Sequence, residues 1–102
     1  MIEGGEFYNM LEKISLVKNE KYYTINNDAF KKMKFLKLYE DFIDSLRPYY
    51  KPSKQYYLNR PPKFNYFITL VRHVCKANNI SYSSKIKYEK SKYEIIYYIF
   101  KS

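Results

Sequence analysis

The stretch Pro61-Pro62-Lys63-Phe64-Asn65-Tyr66-Phe67-Ile68-Thr69-Leu70-Val71-Arg72-His73-Val74-Cys75-Lys76-Ala77-Asn78-Asn79 is the most legible part of this 102-residue chain. Phe64, Phe67, Ile68, Val71, Val74 and Cys75 recur at the spacing of one face of a 3.6-residue period. The spacing predicts a helix over 63–78. Two prolines precede it, and proline suits the first turn of a helix. Asn78-Asn79 suits the left-handed conformation that closes one. Asn65, Thr69, Arg72 and Lys76 fall on the opposite stripe.

Beyond this helix, residues 81–100 read as a β-hairpin. A first strand over Ser83–Tyr88 alternates Ile86 and Tyr88 with Lys85 and Lys87. Glu89-Lys90-Ser91-Lys92 is the expected turn. The second strand, Tyr93–Phe100, is unbroken apolar sequence from Ile95. Such a run fits a strand covered on both faces or one that pairs with another molecule.

Before the helix, residues 48–62 hold all four prolines and the pairs Tyr49-Tyr50 and Tyr56-Tyr57. They are expected to form a long connection that is functional or conceals structure, with Tyr56–Asn59 read as loop. Upstream, an apolar face predicts a helix over 29–46, with Phe35 and Leu38 widening that face and a break expected near 35–37. Asn26-Asn27-Asp28 supplies its cap, and Arg47-Pro48 ends it. Lys21–Ile25 reads as a short strand. Phe7, Met10, Leu11, Ile14 and Val17 mark an amphipathic helix over 6–18.

The expected fold class is therefore α+β: three helices with a C-terminal β-hairpin, in winged-helix-like element order. The likeness is one of order, because a helix-turn-helix joins its helices by about 3–4 residues and here 48–62 intervene. One domain covers 1–102: a neutral helical scaffold (1–47), a Pro/Tyr-rich connection (48–62), and a basic helix plus hairpin (63–102).

Hydrophobic residues make up 46% of the chain, enough for a folded core. No apolar run nears the roughly 20 residues that span a bilayer. The start, Met1-Ile2-Glu3-Gly4-Gly5-Glu6, does not read as a secretory or transit signal. One cysteine, Cys75, excludes an internal disulfide framework. With one histidine, His73, it cannot build a structural zinc site. The only glycines, Gly4 and Gly5, form no phosphate-binding loop. These counts remove most enzymes that rely on His, Cys or metal chemistry, and the chain reads as non-enzymatic, with no cofactor and no small-molecule substrate. Glu40, Asp41 and Asp44 read as a solvated helix face, and Cys75 as buried and inert.

Net charge is +9, from 19 Lys and Arg against 10 Asp and Glu. Lys, Ile, Asn and Tyr are all abundant, as A·T-rich codons would make them, so the total is ambiguous. Its distribution is more informative. Residues 1–50 carry eight basic and eight acidic groups, whereas 51–102 carry eleven basic groups against Glu89 and Glu94 alone. Codon drift acts on both halves alike, so the asymmetry points to a basic contact surface.

Three features compete to form that surface. Asn65, Thr69, Arg72 and Lys76 are types that bind phosphates or base edges, though every surface helix has a solvated face. Lys85, Lys87, Lys90 and Lys92 fit a wing lying along a phosphate backbone, or equally lysines guarding an edge strand. Tyr49, Tyr50, Tyr56 and Tyr57, among Lys51, Lys54 and Arg60, fit either a stacking platform for unpaired bases or core packing with wet hydroxyls.

The segments Tyr57–Phe67, Arg72-His73-Val74-Cys75-Lys76 and Ser84–Ile99 resemble small uncharacterised basic proteins of giant (nucleocytoplasmic large) DNA viruses. The Lys/Ile/Asn/Tyr bias fits such genomes. The resemblance implies an intracellular protein, in the cytoplasm or nucleus of a host cell or in the virion, and supplies no active site.

The function expected is nucleic-acid binding, duplex DNA ahead of RNA, through Arg60, Lys63, Asn65, Thr69, Arg72 and Lys76 on the helix side and Lys85, Lys87, Lys90 and Lys92 on the wing. The alternative is a structural or interaction protein that forms a homodimer, or joins a larger viral assembly, through its C-terminal strand. No membrane partner is expected.

Overall fold

The computed structural model describes residues 4–101. The fold is α+β. Among the described residues, helices α1 (Gly4–Ile14), α2 (Asn27–Phe35), α3 (Leu38–Leu46) and α4 (Phe64–Ala77) pack with strands β1 (Tyr22–Ile25), β2 (Tyr82–Glu89) and β3 (Lys92–Phe100). The strands form one antiparallel sheet in the order β1-β3-β2.

The apolar stripe of α1 is buried through Phe7, Met10, Leu11 and Ile14. The helix stops at Ile14, short of the expected 18, and Val17 is exposed. The cause is Ser15, whose hydroxyl accepts the Thr24 backbone N–H at 3.0 Å and meets the Thr24 hydroxyl at 3.2 Å. This buried polar pair turns the chain into β1 instead of another helical turn.

Asn26 caps α2 as its residue type suggests, with its Oδ1 accepting from Ala29 N at 2.9 Å. The helix read over 29–46 is two helices, with the break inside the expected 35–37. Lys37 takes φ 58°, the left-handed region, and breaks the run between α2 and α3. Phe35 therefore does not widen the core face: it is 84% exposed at the corner.

The 48–62 connection conceals structure. Arg47–Tyr49 and Pro52–Asn59 are 3₁₀ segments, so Tyr56–Asn59 is helical rather than loop. Leu58 anchors this segment in the core. Its backbone is further held by the Gln55 amide, which donates to Arg47 O at 3.3 Å.

α4 carries the strongest apolar stripe, and Phe67, Ile68, Leu70, Val71, Val74 and Cys75 are all buried. Phe67 stacks on Phe30 and meets Phe42 edge-on, which places the middle of α4 at the centre of the core. The helix ends in a Schellman motif: Ile80 N donates to Cys75 O at 2.8 Å and Asn79, at φ 56°, to Lys76 O at 3.4 Å.

β3 is the central strand. Its apolar sequence is explained within the chain, because residues 97–100 pair with β1 while 92–99 pair with β2. β1 and β2 are the two edge strands of the sheet, and all eight residues of β2 are exposed. The hairpin turn is tighter than expected, with Glu89 opposite Lys92 and Lys90 at φ 56°.

Candidate nucleic-acid interface

The start of α4 and the near half of β3 face each other across an open groove of about 700 Å³. Arg60, Lys63, Asn65 and Thr69 line one side, and Tyr93, Glu94 and Ile95 the other. The fold thus brings together four of the residues singled out from sequence. Lys63 is the N-cap residue of α4, with extended backbone and its carbonyl accepting Phe67 N at 2.9 Å. Asn65 and Thr69 are exposed one turn apart, and the Thr69 hydroxyl donates to Asn65 O at 3.1 Å.

Arg60 is oriented by aromatic rings. Its guanidinium lies 5.0 Å from the Tyr57 ring centroid and 6.0 Å from that of Tyr66. The Tyr66 hydroxyl in turn donates to Tyr57 O, tying α4 to the 3₁₀ segment. Further along the helix, Arg72 lies 5.4 Å from the Tyr97 ring centroid, and Tyr97 also meets Phe64 edge-on. Arginine stacked on a ring keeps its edge N–H groups outward for phosphate or base edges. Lys76 is exposed one turn on. Tyr57, Tyr66, Tyr93 and Tyr97 are participants that the sequence analysis did not name as site residues in this role. Their signal was present, since Tyr97 and Tyr93 keep the two-residue alternation of a strand beside Ile95 and Ile99.

The wing divides. Side chains paired with Tyr97, Ile95 and Tyr93 share the α4 side of the sheet; these are Ser84, Ile86 and Tyr88. Lys85 and Lys87 alternate onto the opposite face, where Lys85 Nζ lies 5.9 Å from the Tyr98 ring centroid. Lys87 stands in register with Glu94, and Lys92 with Glu89. Lys90 occupies the turn. The cations of α4 and those of β2 therefore serve two surfaces rather than one continuous patch.

Glu94 lines the groove, but no cation of the helix side pairs with it within 4.0 Å. Among the described residues the ion pairs are Lys18 with Glu12, at 3.1 Å, and Arg47 with Asp44, at 2.9 Å. Both carboxylates lie in the first half of the chain, and neither pairs with a cation of 51–102.

Cys75 is buried at the inner face of α4, and burial pushes its thiol up to about 11. His73 is exposed and its Nδ1 lies 3.3 Å from the Tyr50 hydroxyl. Of the tyrosine-rich connection, Tyr49 and Tyr56 are exposed and Tyr50 is half-buried; the Tyr56 and Tyr57 ring centroids are 3.9 Å apart. Glu40, Asp41 and Asp44 are exposed on α3. No helix among the described residues is long and apolar enough to cross a membrane.

Comparison with protein-family models, curated proteins and solved structures found no match to this chain.

Proposed function

We propose that the chain is a non-enzymatic nucleic-acid-binding protein that engages duplex DNA through the outer face of α4, in a winged-helix-like arrangement with the β2–β3 hairpin as wing. The observation that carries this reading is the convergence of Arg60, Lys63, Asn65 and Thr69 on one groove, with Arg72 continuing along the same helix; Glu94 at the far wall pairs with none of these cations. The place of α4 immediately before the hairpin supports it, as do the contacts of Phe64 and Arg72 with Tyr97 of β3. The long join of 47–63 departs from a short helix-turn-helix, and the placement of Lys85 and Lys87 assigns the wing a smaller share. Recognition through phosphates dominates, with Asn65 and Arg72 as the side chains suited to base edges.

The test is a fluorescence-anisotropy titration of labelled duplex at several salt concentrations. The logarithm of the association constant is expected to fall with a slope of about −0.9 per phosphate neutralised. Affinity weaker than about 10 µM at low salt counts against the reading.

A second reading is an interaction protein whose exposed β2 edge adds a strand from a second copy or a larger assembly. Light scattering separates the two, because a salt-insensitive oligomer that ignores duplex supports the second.

A further inference from the structure

The hydrogen-bond pattern of the sheet fixes which backbone groups face its open edge. Phe100 N donates to Ser81 O at 3.0 Å, and from there β2 runs against β3 without a bulge. In an antiparallel ladder, residues that exchange hydrogen bonds alternate with residues that do not. Ser83, Lys85, Lys87 and Glu89 therefore bond to β3. The N–H and C=O groups of Tyr82, Ser84, Ile86 and Tyr88 point away from it, toward solvent. At the other edge of the sheet the corresponding groups are capped. There the outward Thr24 N–H is taken by Ser15 Oγ at 3.0 Å, and Thr24 is buried.

β2 also lacks the usual guards of an edge. It is eight residues long, with no proline and no bulge. Lys85 and Lys87 stand on the face away from α4. The outward-bonding residues carry the other face, where Ile86 is 53% and Tyr88 76% exposed. Unmet ladder groups and exposed apolar side chains thus belong to the same residues, which is the pattern that accepts an added strand.

A second copy of β2 supplies that strand, and charge selects its register. Two identical antiparallel strands pair about one central residue. Centring on Ile86 sets Lys85 opposite Lys87 twice, and centring on Lys85 sets that lysine opposite itself; like charges so placed are unfavourable. Centring on Lys87 does the same on the axis, and the Glu89 that it recruits already stands opposite Lys92 in the hairpin. Centring on Ser83 or Tyr88 pairs only 82–84 or 87–89 of the strand. Centring on Ser84 pairs 82–86, sets Lys85 opposite Ser83, and twice sets Tyr82 opposite Ile86, an aromatic against a β-branched side chain.

We propose that two copies of the chain pair through β2 about Ser84, joining two three-stranded sheets into one. The inference rests on the strand-addition reading above and is independent of duplex binding. The two-fold axis of such a pair is normal to the sheet, so both α4 helices lie on the same side of it.

The experiment is sedimentation equilibrium of the full chain from about 5 to about 500 µM. The mass is expected to rise from one chain to two, and to stay at two in salt that abolishes duplex binding. Ser84→Pro removes an N–H that β3 does not use, and is expected to remain monomeric with an unchanged circular-dichroism spectrum. Ser84→Cys sets two thiols across the axis at a Cα separation of about 5.5 Å, inside the range of about 4.4–6.8 Å that a disulfide spans. Oxidised glutathione is expected to convert this variant to a covalent dimer and to leave Lys87→Cys unlinked. Cys75 is buried and does not compete. A dimer that Ser84→Pro abolishes, but in which Ser84→Cys fails to cross-link or Lys87→Cys links instead, overturns this register and leaves strand addition standing. A wild-type chain still monomeric at about 500 µM, or a dimer that Ser84→Pro leaves intact, overturns both.

Discussion

Arg72 on α4 lies over the ring of Tyr97 in the central strand, its guanidinium carbon 5.4 Å from the ring centroid. The contact spans two elements and fixes the direction in which the guanidinium edge faces outward. Arg72→Ala is expected to weaken duplex binding and to lower the salt slope by about 0.9, the share of one phosphate. Tyr97→Leu keeps the charge but frees it, and costs about 0.5–1 kcal/mol of stability from the lost cation–ring contact. Titration at several salt concentrations and urea melts measure the two effects.

The division of the wing gives a sharper comparison. Lys63 and Lys76 flank the α4 face, whereas Lys85 and Lys87 alternate to the far side of the sheet. Lys63→Glu with Lys76→Glu is expected to lower duplex affinity at least about tenfold at low salt. Lys85→Ala with Lys87→Ala is expected to change it less than about threefold. Equal losses in the two pairs contradict the assignment of α4 as the principal surface.

Phe67 is fully buried and touches Phe30, Tyr39 and Phe42. Phe67→Ala opens a cavity at the meeting point of α2, α3 and α4, and costs about 3–5 kcal/mol. A shift of the urea midpoint at unchanged slope reads this loss.

The Ser15–Thr24 pair has a different cost. Ser15→Ala removes the acceptor of the Thr24 N–H and leaves that group buried without a partner. A loss of about 1–3 kcal/mol is expected, and Thr24 loses its amide protection in hydrogen exchange.

Alkali is expected to unfold the protein through two groups. Burial pushes the Cys75 thiol up to about 11 from 9.0 and the Tyr39 phenol up to about 12 from 10.0. Each is neutral when protonated, so the folded state holds its proton more tightly than the unfolded state does. The stability each supplies is complete below the unfolded value and falls as pH rises: from about 9 to about 11 for Cys75, and from about 10 to about 12 for Tyr39. Cys75→Val removes the first of these losses, and a circular-dichroism titration from about pH 8 upward reads the difference.

Much of the fold was legible because its signals are local. The apolar stripe of α4, the Asn26 cap and the closing asparagine needed no distant partner to be read. What was not legible depended on contacts between remote positions. The end of α1 is set by Ser15 reaching Thr24. The break between α2 and α3 falls within the expected 35–37, but the left-handed backbone that Lys37 takes there is one that no propensity favours. The 3₁₀ segments of the connection are held by Leu58 in the core and by Gln55 on the backbone. For the interface, helical spacing was enough to align Asn65, Thr69, Arg72 and Lys76. Alternation put Lys85 and Lys87 on one face of β2, but which face α4 covers is decided by the packing of Tyr97 against Phe64 and Arg72.

The pairing of Tyr22 with Phe100 has a consequence for biosynthesis. During translation, β1 emerges early and must wait for a partner made nearly a whole domain later. Until residues 97–100 clear the ribosome, its ladder groups have no strand of their own to bond, and the sheet closes only once that segment is free.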